Sequence, residues 1–382
     1  MIQDETGCIP LGWPVSFKLF KQFHTSVKMF KLTKYFRVLS LISLGLGSYL
    51  FTSCDKSFIF EYEKDCEITY RVNFKYDMNL KWANAFTNEV QSVRLYVFGA
   101  NDAYLCKFEE SGEELAKDNY SIKLDLEPGD YKLLAWCGID NPGKNQHFTV
   151  PEPVVGQTTI EHMTCMLKRY ADEEVNASSS ERLEFMFHGR LDVSLPANEY
   201  GKEFVYTVPL TKDTNHIRVV LQHLSGEDVD VSNFSFRIED ANGFYAHDNS
   251  VLEDERITYR SYSKSQGEAT IVRSSSRDAV KSKTAIADLS IARLMADRGS
   301  EMILTVTNDK GEDIARIPVI DYALLTKDYY EDAYNHKMTD QEFLDREDEY
   351  IMTLFLDDDY KWYSAEIFIN SWRVVFNEYN VD

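Results

Sequence analysis

The motifs that most often carry chemistry are missing from this 382-residue chain. It has no G-x-S-x-G elbow, no H-E-x-x-H zinc helix, no phosphate-cradling P-loop and no G-x-G-x-x-G turn, so nothing specifies hydrolase, metalloprotease or nucleotide chemistry. Its six cysteines form no C-x-x-C pair and no zinc spacing, which argues against a metal site. The eight histidines are dispersed, and His216 and His223, which flank a strand pattern, read as surface or hydrogen-bonded residues and not as ligands. Asp357-Asp358-Asp359 lacks the spaced oxygen ligands of an EF-hand loop and reads as a solvated turn. With 63 acidic residues, no glycosidase-type carboxylate pair stands out. No enzymatic activity and no cofactor are expected.

Positive charge is also scarce. The net charge is −22, and the first 53 residues hold six Lys/Arg against two Asp/Glu. Removing that +4 leaves −26 on the remainder. A surface so acidic repels phosphates, which excludes nucleic acid as a partner and electrostatic docking on anionic lipid, and it keeps an exposed protein soluble. What is abundant is core material: 44% hydrophobic and 13% aromatic residues, with a length that suggests two domains.

The basic residues that do occur near the start are organised. Lys28, Lys31, Lys34 and Arg37 precede an apolar run of 14 residues from Val38 to Phe51. That run is too short to span a bilayer comfortably and has the basic-then-apolar layout of an export signal. It ends Phe51-Thr52-Ser53-Cys54, which looks like a lipobox: cleavage before an acylated Cys54 would leave a lipid on the first mature residue. Because such a signal begins close to its initiator, Met29 is the expected start, and residues 1–28 are expected to be untranslated. Residues 1–53 are thus leader, and the fold is read from Cys54 onward. Export permits disulfides. The expected pair is Cys66, which opens one strand pattern, with Cys137, which closes another.

After Cys54 the dominant period is two. In residues 66–76, Ile68, Tyr70, Val72, Phe74 and Tyr76 fall on one face and polar residues on the other, which predicts a half-buried strand. Similar patterns predict strands at 90–98, 120–126, 131–137 and 183–187, with Glu127-Pro128-Gly129-Asp130 read as a hairpin turn. A second set is expected at 204–210, 216–224, 231–238, 302–307, 314–319 and 350–356, separated from the first by Pro196–Lys202. The expected division is therefore 54–202 and 203–382, two β-sandwiches with few short helices. Helical signals are confined to 82–90 and to 340–348, where Thr339 and Glu342 fit a capping box. The Ser- and Lys-rich stretch 260–284 reads as a mobile loop.

Residues 363–376 alternate with apolar residues on both faces, as a strand buried on both sides does. Two readings follow: an inner strand of the second sandwich, or a segment that pairs with another chain by strand donation. Ile367, Ile369, Trp372, Val374 and Phe376 are the candidate contacts in the second reading.

Several segments together resemble the FimB-like fimbrial anchoring subunits of type V pili. They are Asp65-Cys66 shortly after the lipobox cysteine, the alternating strand Tyr70–Asp77, Ala83–Phe86 and Ser92–Phe98. Downstream, 125–139, 209–224, 341–350 and 369–375 follow the family pattern in order. Asn84 stands where Asp is commoner, and the Ser-rich stretch is long. The resemblance implies two transthyretin-like β-sandwich domains and a non-enzymatic role: an outer-membrane, surface-exposed lipoprotein held by acylated Cys54 that attaches the base of a fimbrium. It implies a shaft subunit as partner and subunit joining by strand exchange. The alternatives are a surface glycan-binding lipoprotein, with Trp82, Trp136, Trp362 and Trp372 available as sugar platforms, and a fimbrial tip adhesin.

Overall fold

The structure, a computed structural model, describes residues 68–375 apart from 172, 176, 200, 273–278 and 371. Its strands follow the period-two patterns. In the first half they are β1 (Thr69–Lys75), β2 (Ser92–Gly99), β3 (Tyr104–Ser111), β4 (Ile122–Leu124), β5 (Gly129–Cys137), β6 (Phe148–Thr149), β7 (Thr164–Leu167), β8 (Ser178–Ser179), β9 (Phe187–Leu195), β10 (Glu203–Pro209) and β11 (Thr211–Lys212). The second half adds β12 (Thr214–His223), β13 (Phe234–Asp240), β14 (Phe244–Ala246), β15 (Ile257–Arg260), β16 (Ser263–Val272), β17 (Ala279–Ala292), β18 (Ile303–Asn308) and β19 (Asp313–Pro318). It closes with β20 (Glu349–Leu356), β21 (Trp362–Ile369) and β22 (Trp372–Val375). Four short helices accompany them: α1 (Phe86–Glu89), α2 (Val319–Leu324), α3 (Lys327–Tyr334) and α4 (Asp340–Arg346). The protein is all-β, as expected.

Two sandwiches result. The first stacks the sheet β10-β1-β4 on the sheet β11-β9-β5-β2-β3; the second stacks β16-β17-β12-β20-β21-β22 on β19-β18-β13-β15-β8. A small sheet, β14-β7-β6, joins strands from both halves of the chain. The alternation of β2 explains the layering. Val93, Leu95 and Val97 point into the core between the two sheets of the first sandwich, while Tyr96 and Phe98 point the other way into a core shared with the second sandwich. β5 repeats the split, with Leu133 and Ala135 on one side and Leu134 and Trp136 on the other. A sheet buried on both faces needs nearly continuous apolar strands, which is what these two sequences supply.

That shared core alters the expected division. β10 pairs in parallel with β1, from Thr69↔Glu203 to Lys75↔Pro209, so residues 203–209 belong to the first sandwich. β7 and β8, from the first half, pair with β14 and β15 of the second. The chain crosses to the second sandwich at Asp213, between β11 and β12, because β10 completes the sheet beside β1 and β11 pairs with β9.

Three further expectations change. Glu127–Asp130 does not close a hairpin: β4 pairs with β1 and β5 with β2, so the turn carries the chain from one sheet to the other. The stretch read as a mobile loop contains the ladder between β16 and β17, ten residue pairs from Ser263↔Asp288 to Val272↔Ala279. Its polar alternation lacks an apolar face along most of its length, so periodicity gave no strand signal. Residues 183–186 lie outside any strand, and β9 begins at Phe187. The capping box at α4 is present in its first half: the Glu342 N–H donates to the Thr339 hydroxyl at 3.1 Å.

Candidate functional site

The candidate site is the C-terminal edge of the second sandwich together with the waist that holds it to the first. Residues 363–376 were expected as one strand, but they fold as a hairpin. β21 lies against β20, and the chain reverses at Asn370, whose left-handed backbone (φ 47°) an asparagine tolerates better than most residues. β22 returns along β21, with Ile369↔Trp372 and Glu366↔Val375 in register, and forms the outer edge of the sheet. Four residues of it, Trp372–Val375, are among the described residues.

The hairpin divides the five candidate contacts. Ile367 and Ile369 are fully buried in the shared core, so they cannot be offered to another chain without opening the sandwich; burial of each contributes roughly 1.5–3 kcal/mol. Trp372 and Val374 lie on the edge strand, with side chains outside the described residues, and Phe376 lies outside them altogether. The sequence could not separate inner from outer strand, because a chain reversal at Asn370 keeps the alternation running through it.

The turn is fastened to the waist. The Asn370 N–H donates to the Ile351 carbonyl at 3.0 Å, and the Asn370 side chain accepts from the Ile351 N–H at 2.7 Å and donates to Glu347 at 3.2 Å. Burial pushes the Glu347 carboxyl up to about 7. Glu347 follows α4, whose Arg346 reaches into the first sandwich. Its guanidinium donates to the carbonyls of Asp77 and Asn79 at 3.0 and 3.3 Å, and it covers the ring of Trp82 at 3.6 Å. Beside it, Lys212, 2% exposed, is paired with Glu89 of the first sandwich and Asp348 of the second, and sits 3.9 Å from the ring of Phe185. A buried cation is tolerated only with partners of this kind. Deeper in, Arg293 binds Asp345 through two bonds of 2.8 and 2.7 Å and faces Asp213, whose carboxyl burial raises to about 7. Of these waist residues only Trp82 was named from sequence, as a possible sugar platform; Lys212 falls between two predicted strands and Arg346 in a predicted helix, so neither charge gave a signal.

The cysteines require a correction. Cys137 is a buried free thiol on β5, so it is not the partner of Cys66; burial also pushes its thiol well up. Cys165 is likewise free and buried, whereas Cys106 on β3 is disulfide-bonded. Cys54 and Cys66 lie outside the described residues. The Asp357–Asp359 run forms the turn it resembled, with the Asp357 carboxylate accepting the N–H groups of Asp359 and Lys361. His223 is buried and accepts from the Ser225 N–H, and His216 is packed between Phe185 and Tyr262.

A cleft of about 490 Å³ opens beside β1, where its ladder with β4 ends at Val72↔Ile122. Its polar lining includes Asn73, Asn84, Lys117 and Asn119, and the Asn73 side-chain oxygen and Tyr120 hydroxyl there are stripped of solvent without a partner. The tryptophans do not form a platform: Trp136 is fully buried, Trp82 is covered by Arg346 and His336, Trp362 is half-buried, and the side chain of Trp372 lies outside the described residues. Among the described residues, no helix is long and apolar enough to cross a membrane.

Comparison with known proteins agrees with this architecture. A search of curated protein sequences returns no match. Two crystal structures from Bacteroides thetaiotaomicron superpose with TM-scores of 0.68. One, put forward as an adhesin, is 32% identical and aligns over 81% of this chain and 97% of its own. The other, put forward as a polysaccharide binder, is 28% identical over 82% and 99%. The fimbrial anchor protein Mfa2 of Porphyromonas gingivalis shares the fold at 18% identity, with a TM-score of 0.57 over 82% of this chain and all of that one. Residues 62–378 match the family of fimbrillin-A associated anchor proteins Mfa1 and Mfa2. With the greater part of its length matched in this way, the chain belongs to that family of structural fimbrial subunits.

Proposed function

We propose that the protein is an outer-membrane lipoprotein that anchors the base of a fimbrium at the cell surface. Acylated Cys54 holds it in the membrane, and a shaft subunit joins it by strand pairing at β22 and the residues that follow. The observation that carries this reading is β22: among the described residues it is an edge strand paired only with β21, in a chain whose family is built for fimbrial attachment. The direction of the strands supports it. β1 ends, and β12 and β20 begin, at the waist, where Arg346 meets Asp77 and His216 pairs with Glu349. β1 therefore starts away from the waist on one side, and β22 runs away from it on the other. A tether entering at Thr69 and a partner met beyond Val375 would be at opposite ends.

The test is a pull-down from outer membranes comparing the whole protein with one lacking residues 371–382. A cut at 363 would remove β21 and expose the core, so it could not separate binding from folding. The shortened protein should remain folded and lose the shaft subunit; unchanged co-purification rejects strand pairing at β22. Mass spectrometry of the mature N-terminus tests the tether: it should begin at a diacylated Cys54, and a start well beyond that residue rejects the anchor.

The cleft beside β1 favours a second reading, glycan binding. Its two unpartnered oxygens, amide side chains and cations suit sugar hydroxyls. A glycan array would show binding that Asn73→Ala and Tyr120→Phe remove.

A further inference from the structure

Cys106 is disulfide-bonded, yet both other described cysteines, Cys137 and Cys165, are free. Its partner therefore comes from Cys8, Cys54 and Cys66. Cys106 is 2% exposed and points into the core between the two sheets of the first sandwich. Tyr70, Val72 and Phe74 of β1 line that same core, and Ile68 packs against it. The alternation that turns positions 68, 70, 72 and 74 inward puts Cys66 on the same face in sequence. Cys8 lies 61 residues ahead of Thr69 (69 − 8), in the expected leader, and Cys54 is the residue to which the proposed function assigns the lipid.

We propose that Cys66 and Cys106 form a structural disulfide that staples the beginning of β1 to β3 and carries pull from the tether past β1 into the five-stranded sheet. The choice of Cys66 over Cys54 rests in part on the proposed lipid at Cys54, and the mechanical role of the bond rests on the anchor reading. Formation is ordinary thiol–disulfide exchange with an oxidised dithiol donor of the exported compartment. One cysteine thiolate attacks the donor disulfide, giving a mixed disulfide and one donor thiol. The second cysteine then attacks the protein sulfur and expels the other donor thiolate. Two electrons and two protons leave the protein, and the donor ends as a dithiol.

With that bond in place, tension applied ahead of Cys66 passes directly to Cys106. Residues 67–105, which include β1, α1 and β2, cannot be drawn out, however far the sandwich is opened. Those 39 residues (105 − 66) correspond to roughly 130 Å of extended chain at about 3.4 Å each.

Non-reducing peptide mapping of the full chain purified from membranes tests the bond. The expected product is a peptide linking residues 66 and 106, with Cys137 and Cys165 alkylated only after unfolding. Cys106 that alkylates without reductant, or that is linked to Cys54, overturns the proposal. The two failures are distinguishable: a free Cys106 beside a diacylated Cys54 leaves the anchor reading intact, whereas a Cys54–Cys106 link removes both. Pulling single molecules by their two ends tests the mechanical role. Reductant, or Cys66→Ser, should add about 130 Å to the fully unfolded length; no added length overturns it.

Discussion

The waist and the C-terminal edge are both made of strands meeting strands, yet they are held by different means. At the waist, Lys212, Arg293 and Arg346 are buried against their partners, and each ties a segment of one element to the backbone or carboxylates of another. Removing one member leaves an uncompensated buried charge, which is far more costly than the pair was favourable. At the edge, β22 has a backbone ladder to one neighbour and a turn fixed by one asparagine. Its removal leaves β21 as a new edge. The difference teaches where this protein can exchange a contact and where it cannot: the edge can be remade with another strand, and the waist can only break.

The comparison can be broken most directly at the waist. Lys212→Ala strands Glu89 and Asp348 and should cost about 3 kcal/mol, read as a lower urea midpoint at unchanged slope. A loss below 1 kcal/mol would mean that the carboxylates, each about a quarter exposed, are satisfied by water instead. Ile367→Ala is next, at roughly 2–4 kcal/mol, since it empties a fully buried site on β21. Deleting 371–382 should cost less than either, and if it costs more, β22 belongs to the core and not to the edge. Asn370→Gly keeps the left-handed turn and removes the bonds to Ile351 and Glu347, for about 1 kcal/mol.

A further test is a slope in pH. Glu347 is raised to about 7 by burial, so the folded state binds a proton that the unfolded state has already released above pH ~4.5. Its contribution is fully present below the unfolded value and is lost as pH rises toward 7, by up to about 1.4 kcal/mol per unit. His188 acts oppositely: burial lowers it to about 4, so it removes stability as pH falls below about 6.5. Comparing Glu347→Gln with the wild type between pH 4.5 and 7 isolates the first slope. Identical pH profiles would show that the carboxyl is not held in its neutral form.

Strand patterns were legible wherever one face was apolar, as in β1, β12 and β20. They failed where the face was not decided by hydrophobicity. β16 alternates polar with small residues along most of its length, β17 gathers its larger buried residues, Leu289 and Ile291, only at its far end, and β3 loses its apolar pattern after Phe108, so none of the three was read. The edge position of β22 was likewise hidden, because inner and outer strands differ in their neighbours and not in their own residues. The waist was illegible for a related reason: Lys212 and Arg346 look like surface charges until a second sandwich is folded against them.

The parallel pairing of β1 with β10 also sets an order in time. Thr69 meets Glu203, 134 residues later (203 − 69). At 5–20 residues per second, that interval is roughly 7–27 s of synthesis. During it the first strand has its short ladder to β4 at most. The parallel ladder of β1 is therefore completed only once the chain has been made through β10, late in the assembly of the first sandwich.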